Sequence, residues 1–234
     1  MWLFAPNIDC IHGFSLRYGG ISKKPFDSLN LGGLEDDLAN IKINQEIALK
    51  KLKLNNIKLS FLNQVHGNEV KIAKNGYQEG DALVSNEKKI ALVVSMADCY
   101  PILFYDKKNS VIGAAHAGWR GTLNKIASNT IKKMIEIGAE SKHIQVAIGQ
   151  GISQNKFKVG FDLIKQFIDA GFSKKYLKDN TINLILCNKQ ILMNENILEK
   201  NIWASNRCTF EKDFFSYRRD QKITGRMWSI IAMS

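Results

Sequence analysis

The sequence is short of the residues that mark most specialised proteins. It has three prolines, four cysteines and four histidines in 234 residues, and no CxxC, HExxH or GxGxxG pattern. Cys10, Cys99, Cys187 and Cys208 lie far apart, which argues against both a zinc ribbon and a dense disulfide framework. No apolar run approaches the roughly 20 residues of a membrane-crossing helix. The N-terminal MWLFAPNIDC lacks a basic stretch followed by a sustained apolar one, so no secretory leader is expected. These absences imply reduced thiols, a cytoplasmic compartment and no membrane partner.

Acidic residues are also scarce, 22 against 33 basic ones, for a formal net charge of +11. Such an excess invites a nucleic-acid partner. The lysines, however, are scattered in ones and twos, asparagine is comparably abundant, and aromatics do not interleave with basic residues as in single-strand binders. The charge therefore reads as a solvated surface, with no nucleic acid expected. Arginine is rarer, six in all, and three of the six (Arg218, Arg219, Arg226) fall in FFSYRRDQKITGRM. A lysine-biased chain keeping arginine in one place suggests a need for its planar, bidentate fork.

What remains is an ordinary globular composition, 45% hydrophobic and 24% charged. No repeat, low-complexity tract or linker is visible, so a single domain over 1–234 is expected. Residues 13–33 are rich in turn formers and read as an ordered loop. Near-helical apolar spacing predicts helices over 35–54, 122–137, 161–170 and around 189–198. Between them KLSFLNQVH, EVKIAK, DALVS, IALVVSM, PILFYD, SVIGAAH and HIQVAIGQGI read as strands, and strand-like runs recur near the end. Strands interleaved with helices predict an α+β or α/β fold with helices covering sheet faces.

Three soft or borderline ligands fall at the ends of these strands. His66 follows LSFLNQV, Cys99 follows ALVVSM and precedes Pro101, and His116 ends SVIGAA. One thiolate and two imidazoles make a three-ligand zinc site with an open fourth position. There the metal would lower the pKa of a water towards ~7. The competing reading is a buried structural cysteine and two unrelated histidines. After His116 the strand runs through AGWRG into a helix start, a junction that exposes backbone N–H groups beside Arg120. That loop reads either as a phosphate site or as a simple turn in which Arg120 pairs with a surface carboxylate. His143 reads as a surface or capping residue, His12 as unpartnered and Cys208 as a packed thiol, and Asp98 reads either as a strand-end carboxylate or as a group that orients a ligand or takes a proton.

HGFSLRYGGISKKPFDSLNLG, NQVHG, ADCYPILFYD, AAHAGWRGT and the closing CTF, FFSYRRD and TGRM together resemble the YfiH or laccase-domain family, in order over nearly the whole chain. This family has been described both as multicopper polyphenol oxidases and as purine nucleoside phosphorylases. The resemblance implies a single α/β/β/α sandwich with mixed sheets, related at fold level to cysteine hydrolases. It also implies zinc on His66, Cys99 and His116, and phosphorolysis of adenosine, inosine and S-methyl-5'-thioadenosine, with adenosine deamination as a side activity. Purine nucleosides and phosphate would be the partners of a monomer or homodimer. Phosphate is then expected at Arg120 and the helix beginning near Thr122, with Arg17 and Arg218 lining the same pocket. Gln64, on the His66 side of its strand, is expected to read the purine or ribose. The chain departs from the family pattern at Gln150, Phe157 and Lys158, where a GP-type turn and a tyrosine–glutamate pair are usual, and at Asn183, where aspartate is common.

Two rivals remain open. Four histidines are too few for a multicopper cluster, although copper on the same three ligands would satisfy ligand chemistry in vitro. A metal-free hydrolase would instead use His116 or His66 to activate Cys99 as a nucleophile.

Overall fold

The computed structural model describes residues 1–33 and 35–233. In chain order the elements are β1 (Trp2–Leu3), β2 (Ile11–Ser15), α1 (Leu38–Lys51), β3 (Lys58–Asn63), β4 (Val70–Ile72), β5 (Gly76–Glu79), β6 (Ala82–Ser85), β7 (Ile90–Met96), β8 (Tyr100–Asp106) and β9 (Val111–Ala117). There follow α2 (Trp119–Leu123), α3 (Ile126–Glu136), β10 (Ile144–Ile148), α4 (Phe161–Asp169), β11 (Leu177–Lys178), β12 (Thr181–Ile182), α5 (Leu184–Asn194), β13 (Ile202–Ala204) and β14 (Met227–Ala232). One six-stranded sheet runs β1-β2-β14-β7-β3-β5, a second runs β13-β10-β8-β9-β6-β4, and β11 and β12 form a small ribbon. Both large sheets are mixed: β3 is parallel to β5 and β7, β4 to β6 and β10 to β13, while the other pairs are antiparallel.

The alternation of side chains along each strand decides the layers. In β7, Leu92, Val94 and Met96 point between the sheets, where they meet Leu103, Ile112 and Ala114 of β8 and β9. The intervening Ala91 and Val93 face outwards, onto Ala48 and Leu52 at the end of α1 and its cap. On the far side of the second sheet, Ile102, Phe104, Val111 and Ala115 are covered by Ile131 and Met134 of α3 and by residues of α4 and α5. Because β7, β8 and β9 are covered on both faces, they appear in the sequence as near-continuous apolar runs. The result is the expected α/β/β/α sandwich in a single domain.

Several elements differ from expectation. The helix expected over 122–137 is two: α2 starts directly after the strand at Trp119, and Lys125 takes a left-handed conformation (φ 60°) before α3 begins. Thr122 of α2 is anchored by a 3.0 Å hydrogen bond from Asn188 of α5. The helix expected around 189–198 starts earlier, at Leu184, because Asn183 caps it by accepting the Leu186 N–H at 3.0 Å. The tract 13–33 begins inside β2, whose Phe14 pairs with Ser229 of β14.

Candidate metal centre

The backbone sends three ligands to one place from two sheets. His66 follows β3 in a turn where it adopts a left-handed φ of 60°. The chain crosses from the first sheet to the second between β7 and β8, and Cys99 sits in that crossing. His116 stands on β9. The ligand atoms of the three residues lie within 4.8 Å of one another, with His66 exposed, Cys99 half-buried and His116 buried. The imidazole rings meet edge to face, 4.8 Å between centroids. Gly118 permits this convergence: a Cβ there would stand 2.9 Å from Cys99 Sγ and 3.4 Å from the His66 ring.

The electrostatics set Cys99 apart from the other thiols. Burial pushes the thiols of Cys10 and Cys187 up to about 12. Burial works in the same direction at Cys99, but the positive charge of His116 and hydrogen bonds from His116 and His66 overcome it and pull the thiol down to about 6. In the same way burial would lower His116, yet Cys99 and Asp81 push it up to about 9. The thiolate is thus the favoured form at neutral pH, which is the form that ligates metals and attacks electrophiles.

The triad opens into a cavity of about 740 Å³. Its walls combine apolar and aromatic surface, including Trp119, Phe157 and Tyr217, with the guanidinium groups of Arg218 and Arg226. Among the described residues neither arginine is paired with a carboxylate. Arg226 is steadied through Nη1, which donates to the Thr224 and Gly225 carbonyls at 2.6 and 3.2 Å. Arg218 lies over Phe157, 5.6 Å from its ring centre. Its loop is tied to the crossing by Asp98, which accepts from Thr209 Oγ1 (2.5 Å), Ser216 Oγ (2.7 Å) and the Arg218 N–H (2.7 Å). Asp98 therefore does more than end a strand.

The other residues singled out in the sequence divide sharply. Gln64 lines the cavity, but its amide is committed to the Ser95 backbone, donating to the carbonyl at 2.8 Å and accepting the N–H at 2.7 Å. It continues the β3–β7 pairing with a side chain, which spends one N–H and one oxygen lone pair of the amide on the backbone. Arg17 lies away from the cavity, paired with Asp27 at 3.1 Å and stacked 4.7 Å from the Phe215 ring centre. Arg120 is exposed and folded over Trp119 at 4.3 Å, and is not part of the lining. The helix beside it, α2, has only five residues, too short for a substantial dipole. Of the departures from the family pattern, Phe157 lines the cavity, whereas Gln150 is buried and donates to the Ser15 carbonyl at 3.0 Å. Lys158 contributes its carbonyl to Arg218 at 3.3 Å. Sequence reasoning missed Asp81, whose carboxylate touches His116 Nδ1 at 2.9 Å. The signal was a lone aspartate opening a short, wholly buried strand, where a carboxylate must find partners.

The donor set suits zinc: thiolate sulfur and two imidazole nitrogens, with one side open to the cavity. Bond lengths of about 2.0–2.3 Å put tetrahedral donors about 3.3–3.8 Å apart, so the three side chains need to contract by only about 1 Å. They do not suit a set of coppers. His12 uses both ring nitrogens, one accepting from the Ala5 N–H and the other bonded to the Cys10 carbonyl, each at 2.9 Å. His143 stands on the far turn before β10, 3.7 Å from Glu140. Among the described residues there is no second cluster of metal-ligating groups.

The fold and site define a class: two mixed sheets, packed face to face between helices, sharing one His–Cys–His centre. The chain belongs to the family described as multi-copper polyphenol oxidoreductase laccase, whose model matches residues 11–234. It is 39% identical to a purine nucleoside phosphorylase of Deinococcus radiodurans, over 99% of this chain and 92% of the relative. It is 32% identical to the purine nucleoside phosphorylase YlmD of Bacillus subtilis, over 97% and 90% of the two chains. The crystal structure of YlmD from Geobacillus stearothermophilus superposes with a TM-score of 0.92 at 28% identity, over 99% and 96% of the two chains.

Proposed function

We propose that this protein is a cytoplasmic purine nucleoside phosphorylase that holds zinc on His66, Cys99 and His116. Adenosine, inosine and S-methyl-5'-thioadenosine are the substrates, cleaved by phosphate to the base and the sugar 1-phosphate. Adenosine deamination is a side activity of the same centre. The observation that carries this reading is the opening of the triad into a cavity with both aromatic walls and two uncompensated arginines. Nucleoside phosphorolysis needs both features. A purine stacks on aromatic faces, and phosphate requires fixed cationic donors.

In this reading Trp119, Phe157 and Tyr217 bind the base, and Arg218 and Arg226 hold phosphate. Arg226 has the better-fixed guanidinium and is the principal phosphate group. Asp98 keeps the Arg218 loop against the Cys99 crossing, so that anion and metal centre stay in register. Bound zinc supplies a Lewis acid beside the reacting sugar or base. Arg120 and Arg17, outside the lining, have no direct part.

A second reading draws on the Cys99 thiol, pulled down to about 6 beside a protonated His116. That pair has the character of an activated nucleophile in a metal-free hydrolase. One experiment separates the two. Protein purified without a histidine tag is assayed for bound metals, and adenosine is followed by chromatography with and without phosphate. About one zinc per chain with phosphate-dependent release of adenine supports phosphorolysis. Metal-free protein, inert to nucleosides but readily alkylated at Cys99, supports the hydrolase.

A further inference from the structure

We propose that Asp81 is the positioning residue of the metal centre: one buried carboxylate seats the turn that presents His66 and fixes which nitrogen His116 turns to the metal. This rests on the reading of His66, Cys99 and His116 as metal ligands.

Asp81 stands between β5 and β6 and is wholly buried. An unpartnered carboxylate there would carry a penalty of several kcal/mol. Instead both oxygens are doubly engaged. Oδ1 accepts the His66 N–H at 3.0 Å and meets His116 Nδ1 at 2.9 Å. Oδ2 accepts the Gly67 N–H at 2.7 Å and the Val65 N–H at 3.2 Å. The Asp81 carbonyl also accepts the His116 N–H at 2.8 Å. One residue thereby touches both histidine ligands, and touches each of them through its backbone.

Two consequences follow for the ligands. Three successive N–H groups aimed at one anion form a nest, which holds His66 in its left-handed conformation and so directs its ring towards Cys99. At His116, Nδ1 is the donor to the carboxylate, and Nε2 is left to face the cluster. A carboxylate behind a histidine ligand fixes the tautomer and raises the basicity of the ligating nitrogen.

Asparagine at position 81 keeps the size of the side chain but cannot meet both demands. With its oxygen towards the turn, its NH₂ faces the His66 N–H and drives His116 to the tautomer with a protonated Nε2. With its oxygen towards His116, the NH₂ opposes the N–H groups of Val65 and Gly67. Either way the ligands are mispositioned while the fold is retained.

Zinc affinity is measured by competition with a chromophoric chelator for the wild-type protein and Asp81→Asn, both stripped of metal first and both checked for a cooperative thermal transition. The expected loss of affinity in Asp81→Asn is about 10–100-fold. The cobalt-loaded variant should show a weakened thiolate-to-metal absorption band. Equal zinc affinity and identical cobalt spectra would overturn the proposal. Should Asp81→Asn fail to fold, nitrogen NMR of ¹⁵N-histidine-labelled, zinc-loaded wild-type protein decides. Protonated Nδ1 and metal-shifted Nε2 at His116 support the role of Asp81, and ligation through Nδ1 refutes it. Wild-type protein that takes up no zinc defeats the metal reading and this inference together, whereas tight wild-type binding unaffected by Asp81→Asn defeats this inference alone.

Discussion

The six arginines have different surroundings, and those surroundings determine what each can do. Arg17, Arg207 and Arg219 are spent on Asp27, on Glu211 and Asp213, and on Asp220. Arg226 lines the cavity with Nη1 tied to two carbonyls. A charge-assisted hydrogen bond to phosphate is worth about 1.5–3 kcal/mol, so Arg226→Ala should raise the phosphate KM by about 10–100-fold. Arg120→Ala, on the exposed face of Trp119, should leave it within about twofold. Initial rates against phosphate concentration measure both, and a large effect at Arg120 alone would move the anion out of this cavity. A different residue contributes to pH behaviour. Burial holds His12 below the usual histidine range, and its two hydrogen bonds fit the neutral ring. The unfolded chain therefore takes up a proton near pH ~6.5 that the folded chain refuses, and the stability His12 provides is complete above that pH and lost below it. The midpoint of urea unfolding should fall from about pH 7.5 to about pH 5.5, and less steeply in His12→Gln. Parallel slopes in the two proteins would remove His12 as the cause.

The elements were legible in proportion to how regularly they are buried. IALVVSM, PILFYD and SVIGAAH were visible as strands because sheets and helices cover both of their faces. Leu92 is fully buried between the sheets, so Leu92→Ala should destabilise the protein by about 2–5 kcal/mol, read as a shift in the urea midpoint at unchanged slope. A loss under about 1 kcal/mol would mean that the sheets repack. Elements defined by a partner distant in sequence were harder to see. β5 is an edge strand with alternately exposed residues, and β2 is recognisable as a strand only once β14 lies beside it. The break at Lys125, with its left-handed φ of 60°, and the tie from Asn188 to Thr122 beside it are recorded by no local periodicity. The clustering of His66, Cys99 and His116 was legible because they sit where apolar runs stop. The arginines of the cavity wall were less so: Arg120, beside a glycine turn, lies outside the lining that holds Arg218 and Arg226, because lining depends on which way a side chain leaves the backbone. Asp81 escaped notice because its partners, the turn at 65–67 and His116, are separated from it by 14–35 positions.

On the scale of the whole molecule, the centre spans the two sheets. His66 belongs to the first, His116 to the second, and Cys99 to the strand crossing between them. A metal bound there ties the layers together, and binding to the folded state adds stability of about 4 kcal/mol at a thousandfold excess over Kd. Removing zinc with a chelator should therefore lower Tm by about 8–16 °C, and adding it back should restore Tm. An unchanged Tm would place the metal, if bound, outside the folded core. The strand order carries a separate consequence. β14 lies in the interior of the first sheet, between β2 and β7, so residues 229–232 pair with residues 11–14 across nearly the full length of the chain. During translation the ribosome thus delivers His66, Cys99 and His116 long before β14, the strand that completes the first sheet. The nascent polypeptide carries two unsatisfied apolar strand edges until then, edges that invite chaperone capture or mispairing. The first sheet is accordingly complete only when residues 227–232 occupy the place between β2 and β7.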